Sequence, residues 1–124
     1  MARFLVWATG LFFLAYGLAF ALSPLGMLVL VTGDYPEATS GVIDVRATYG
    51  GLSVAVGITM IAMGWRRETL RHGLAFTALV LLSMAAGRIL GIVLDGDANV
   101  IMYLFLVAEL MVGGIALLLR PSVD

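Results

Sequence analysis

The chain has 124 residues, 62% of them hydrophobic and 12% charged, with 15 glycines besides. A typical soluble domain is about 45–50% apolar and ~25% charged. These figures exclude a disordered chain, a basic nucleic-acid binder and an ordinary soluble domain, and leave an integral membrane protein.

Four transmembrane helices of about 20 residues would use most of the chain, so the expected fold is a single all-α transmembrane domain over 1–124. The formal net charge is −1, and all seven basic residues are arginine. Nucleic acid is therefore not expected as a partner. With no cysteine and a single histidine, His72, the chain lacks the side chains for a disulfide, an iron–sulfur cluster, thiolate-bound zinc or a bis-histidine haem. No Walker loop, HExxH or Gly-x-Gly-x-x-Gly follows from the sequence, so neither a metal nor a cofactor is expected.

The first apolar run covers 4–22, with Arg3 before it and Ser23-Pro24 after it. Ala19-Phe20-Ala21 fits a signal-peptide cleavage pattern, but the run exceeds the usual core of about 7–15 residues. An uncleaved helix is expected. The next stretch, 23–44, reads as an outer loop. Residues 25–31 form an interfacial or extended apolar piece, and 32–41 a polar loop. Adding 25–31 to the first helix would give a helix too long for the bilayer and broken at Pro24.

The second span is placed at 45–65, with Asp44 as its N-cap. The third covers 72–94 and stops at Asp95-Gly96. The fourth covers 98–119, with Asp97 or Asn99 as start signal and Pro121 beyond its end. Short connections at 66–71 and 95–97 make spans two, three and four antiparallel neighbours. The expected architecture is an up-down-up-down four-helix bundle. Arg3, Arg66, Arg67, Arg71 and Arg120 fall on one side, which the positive-inside rule makes cytoplasmic, together with both termini. The locale is then a bacterial inner membrane.

Helices in lipid associate through close packing and polar contacts, and small residues mark those faces. Gly10 and Gly17 on the first span, Gly50, Gly57 and Gly64 on the second, and Ser83, Gly87 and Gly91 on the third are spaced for this. They serve helix packing within the chain, a dimer face or a groove for an acyl chain. Trp7, Trp65 and Tyr103 fall toward span ends, where aromatic belts sit.

A charge at the bilayer centre costs about 2.5–3.5 kcal/mol on insertion scales. Glu109 lies about eleven residues into the fourth span, roughly 15 Å deep at the helical rise. Arg88 lies about 10 Å from the outer end of the third. Helical spacing puts Arg46, Tyr49, Gly50, Ser53 and Gly57 on one stripe, Arg88, Gly91 and Asp95 on another, and Glu109 with Gly113 on a third. Converging, these stripes form a polar cluster in the outer half of the bundle.

One reading of the cluster is structural: Arg88 pairs with Glu109, and Arg46 with Asp44 or Asp95. Another is a pocket open outward, with two guanidiniums for the head of an anionic or lipid-like amphiphile and glycine-lined faces for its tail. A third makes Glu109 the proton carrier of a small homo-oligomeric transporter, and a fourth a general acid/base in a membrane enzyme. Arg66-Arg67-Glu68-Thr69-Leu70-Arg71 reads as a positive-inside anchor, with acidic-lipid or partner docking as the minor alternative.

Asp44-x-Arg46-Ala47-Thr48-Tyr49-Gly50-Gly51, Gly87-Arg88-x-x-Gly91 running to Asp95-Gly96, and Glu109 together resemble a bacterial family of small four-helix membrane proteins classed as a domain of unknown function. The resemblance covers nearly the whole chain. It implies the four-span fold and makes the polar cluster the distinguishing feature, and it carries no activity. A more distant similarity to DoxX-like proteins implies association with redox-linked membrane complexes. The leading functional expectation is a non-enzymatic membrane protein that binds an amphiphile or docks on a larger membrane complex.

Overall fold

The structure, a computed structural model, describes residues 1–120. Pro121, expected as the stop after the fourth span, lies outside the described residues. The chain is all-helical among those residues: α1 (Ala2–Leu22), α2 (Pro24–Thr32), α3 (Thr39–Val45), a π-helical turn (Arg46–Leu52), α4 (Ser53–Trp65), α5 (Arg67–Asp95) and α6 (Val100–Leu119). Four stretches are long and apolar enough to cross a membrane: Ala2–Leu22, Thr39–Trp65, Arg67–Asp95 and Val100–Leu119. The chain is thus a multi-pass membrane protein.

Residues 23–44 are not one outer loop: only Ser23 and residues 33–38, the latter within the expected polar loop, lie between helices, and 25–31 is helical rather than extended. Pro24 opens α2 at its first turn, where a missing N–H is harmless, and Gly33 closes it at φ 90°, a left-handed position that suits glycine. Pro24, Leu28 and Val31 form the buried stripe of α2, and Leu28 and Val31 pack with Phe20 of α1. The second span starts at Thr39, six residues before the expected 45, so Asp44 sits inside α3 and caps nothing. The third begins at Arg67, not 72, leaving Arg66 as the whole link between α4 and α5. The Thr69 hydroxyl donates to the Met63 carbonyl at 2.7 Å, satisfying one of the unpaired carbonyls at the end of α4. Of the two start signals for the last span, Asn99 is the cap, accepting from the Met102 N–H at 3.1 Å.

The tightest helix pair is α1 with α4, and glycine makes it possible. A Cβ on Gly17 would lie 2.6 Å from the Val54 nitrogen and 2.7 Å from the Gly50 oxygen. One on Gly57 would lie 2.6 Å from the Gly10 oxygen. The obstacles are backbone atoms, so these helices pack main chain to main chain. Gly17 meets 50 and 54 while Gly10 meets 57 and 61, so the two helices run in opposite directions.

Gly87 and Gly91, expected as packing residues, do not mediate packing between the described helices. A Cβ on Gly87 meets nothing within 4 Å, and one on Gly91 meets only the Asp95 carboxylate of its own helix at 3.8 Å. The helix partner of α6 on α5 is set further along, where Gly113 closes on Leu82.

Two buried clusters divide the interior. The larger joins Val6 and Phe13 of α1, Met60 of α4, Leu70, Leu74, Ala78 and Leu81 of α5, and Ala116 of α6. It places the start of α1, the α4–α5 link and the end of α6 together. The end of the molecule that carries Arg3, Arg66, Arg67, Arg71 and Arg120 is therefore its basic end. The smaller cluster, Phe20, Leu28 and Val31, with Ile101, Met102 and Phe105 against it, lies at the other end.

Candidate functional site

Arg88 and Glu109 meet between α5 and α6. The Arg88 Nε donates to Glu109 Oε2 at 3.0 Å and its NH2 to Oε1 at 2.6 Å, a fork-to-fork pair. The third nitrogen, NH1, reaches the Met102 sulfur at 3.0 Å, and the guanidinium carbon stands 5.3 Å from the Phe105 ring centroid. Glu109 is 5% exposed. A carboxylate so placed is tolerable only because both oxygens are bonded by a cation of opposite charge. The helical turn explains the supporting cast: Met102, Phe105 and Glu109 lie three or four residues apart on one face of α6.

The other predicted members do not join this pair. Arg46 donates through NH1 to the Ala21 carbonyl instead of pairing with Asp44 or Asp95. Ala21 is in the last turn of α1, whose carbonyls lack helical partners and carry partial negative charge, so Arg46 acts as a cationic cap on that helix. The π-helical turn puts it there, beside Gly50, whose Cβ would lie 3.0 Å from the Ala21 nitrogen. The two-arginine head site is thus not assembled. Ser53 is half-buried at the start of α4 and lines neither cavity described below.

Tyr49 is linked to the pair indirectly, through an aromatic series. It stacks on Phe20 at 5.2 Å, Phe20 lies 4.8 Å from Tyr16, and Tyr16 meets the edge of Phe105 at 6.3 Å between centroids. Phe20, Tyr16 and Phe105 were not singled out by the charge pattern. Their spacing along α1 (Tyr16 and Phe20 are one turn apart) was the available signal.

Two cavities meet at Arg88. The larger, about 330 Å³, is a groove between α1, α5 and α6. Phe4, Ala8, Phe12 and Tyr16 line its α1 wall, Met84 and Arg88 its α5 wall, and Phe105, Ala108 and Glu109 its α6 wall. From Phe4 to Tyr16 the groove follows α1 for roughly 18 Å. It is apolar from the basic end up to Tyr16, Arg88 and Glu109. Its walls mix aromatic and aliphatic side chains, and the close-packing glycines of α1 and α4 lie outside it. The smaller cavity, about 260 Å³, lies among Arg88, Gly91, Asp95, Gly96, Ala98 and Met102. Asp95 is there, exposed, on the same α5 stripe as Arg88.

Asn99 ties this end together. Besides capping α6, its side-chain amide donates to the Val31 carbonyl at the end of α2, at 3.0 Å. The sequence marks Asn99 as a helix start, but nothing in it signals the second bond.

No curated protein sequence and no solved structure matches the chain. A family profile does, that of a domain of unknown function (DUF4345), over residues 1–120. A match of that extent, carried by a helical chain with four candidate spans, makes this protein a member of the DUF4345 family.

Proposed function

We propose that the protein is a non-enzymatic membrane binding protein for a lipid-like amphiphile. The tail lies in the groove between α1, α5 and α6, and the head meets Arg88, Glu109 and Tyr16. The observation that carries this reading is an apolar groove that ends on a buried ion pair. An apolar groove in a bilayer takes up hydrocarbon. A polar terminus inside it distinguishes a chain with a head from bulk lipid tails. Both Glu109 oxygens are bonded to Arg88, which favours a fixed binding site over Glu109 as a mobile proton carrier or a general acid/base.

The orientation follows from the arginines. The basic end carries Arg3, Arg66, Arg67, Arg71 and Arg120, which supports cytoplasmic termini and an up-down-up-down path through a bacterial inner membrane. The Phe4 end of the groove then faces the inner leaflet.

The test uses Ala108, an exposed residue on the groove wall that makes no polar contact with the ion pair. Ala108→Trp fills the groove. Native mass spectrometry from mild detergent is expected to show a small amphiphile on the wild type and its loss from Ala108→Trp, with the melting temperature unchanged. Equal occupancy of both proteins overturns the reading.

A further inference from the structure

We infer that the amphiphile has one chain and an uncharged head that accepts hydrogen bonds, such as an ester or a ketone carbonyl. This rests on the binding function proposed above. Three observations carry it.

The first is charge. Arg88 is the cation lining the groove, and Glu109 already compensates it through two bonds. The pair is neutral. An anionic head would have to displace Glu109 and leave a carboxylate 5% exposed without its cation. A cationic head would face the guanidinium. Both carry the penalty of an uncompensated charge in hydrocarbon, and a neutral head does not.

The second is the supply of donors. The Tyr16 hydroxyl makes no hydrogen bond among the described residues, although Tyr16 lines the groove. Of the five N–H groups of a guanidinium, Arg88 spends three on Glu109 and Met102. The Tyr16 hydroxyl and two Arg88 N–H groups are thus unspent at this end of the groove, while each Glu109 oxygen already accepts a bond from Arg88. An acceptor on the ligand completes the set.

The third is shape. One groove of about 330 Å³ runs along α1, walled by Phe4, Phe12 and Phe105. It has a single channel, and so takes a single tail.

The experiment measures binding of three probes with the same alkenyl tail: monoolein, oleate and oleylamine. Purified full-length protein in detergent is titrated and read by native mass spectrometry. Monoolein is expected to bind at least tenfold more tightly than either charged probe. Tyr16→Phe keeps the ring and its stacking but removes the hydroxyl, so it is expected to weaken monoolein about fivefold. Its melting temperature, taken alongside, reports whether the fold is intact. Tighter binding of oleate or oleylamine overturns the inference. So does equal binding of all three probes, or a Tyr16→Phe protein that folds and binds monoolein as the wild type does. Absence of all binding, together with indifference to Ala108→Trp, overturns the proposed function as well, so the two failures are told apart.

Discussion

Arg88 and Glu109 show why a charge in hydrocarbon is informative when its neighbours in sequence are not. Removing one partner strands the other, at about 3–5 kcal/mol, whereas replacing both with apolar residues of similar volume is often neutral or better. Arg88→Met is therefore expected to lower stability sharply, and Arg88→Met with Glu109→Leu to recover most of the loss. Unfolding of the four proteins of this cycle in detergent checks it. A double variant as unstable as either single one would mean that the pair is held for reasons other than mutual neutralisation. The pair was legible in the sequence because only two side chains were placed deep enough to need each other. Arg46 was not legible, because its partner is a backbone carbonyl, and every residue has one. The cost of leaving the end of α1 uncapped decides its position, and no residue type announces that cost.

At the scale of the elements, the same residue type does opposite work in different helices. Gly17 faces the backbone of the second span, with Val54 N 2.6 Å and Gly50 O 2.7 Å from where a Cβ would be. Gly17→Ala must push two helices apart and is expected to cost roughly 1–3 kcal/mol, as other overpacked sites do. Gly87 has nothing within 4 Å of the same position. Gly87→Ala is expected to leave stability unchanged or raise it slightly, since alanine is the better helix former. Thermal unfolding of the two variants separates them. Equal losses would show that Gly87 also faces a helix, one supplied by another molecule.

The long spans were readable because length and hydropathy suffice for them. Several boundaries were not, the Arg67 start of the third span among them. In α2 the Pro24 start and Gly33 stop were both visible, but nine residues is too short for a span and the apolar stretch looked like surface. At Thr39 the helix begins without a side-chain cap, so Asp44, a good cap by type, drew the start six residues too late. Asn99 is the reverse case: its type is right for a cap, and the structure adds the bond to Val31. Asn99→Asp keeps the cap acceptor and loses the donor. It is expected to destabilise less than Asn99→Ala, for which the usual cap loss is about 1 kcal/mol. Equal losses would mean that the bond to Val31 is the one that matters.

For the whole molecule the decisive quantity is the asymmetry between its ends. The start of α1, the α4–α5 link and the end of α6 come together through the larger buried cluster, and five of the seven arginines flank that end. Asp34, Glu37 and Asp97, in the α2–α3 and α5–α6 links, and Asp95 at the end of α5 lie at the other, where Asn99 bonds to Val31. This separation orients the groove, because its apolar length runs from Phe4 toward Tyr16, away from the arginines. If the arginines are cytoplasmic, the Phe4 end of the groove lies toward the cytoplasmic face, and Tyr16, Arg88 and Glu109 lie further from it. The chain contains no cysteine, so single cysteines can be introduced without removing any. Asp34→Cys and His72→Cys are both at exposed positions, at opposite ends. In intact cells a membrane-impermeant maleimide is expected to label the first and to spare the second until the membrane is opened. Labelling of His72→Cys alone in intact cells would invert the molecule. The Phe4 end of the groove would then face outward, against the positive-inside rule.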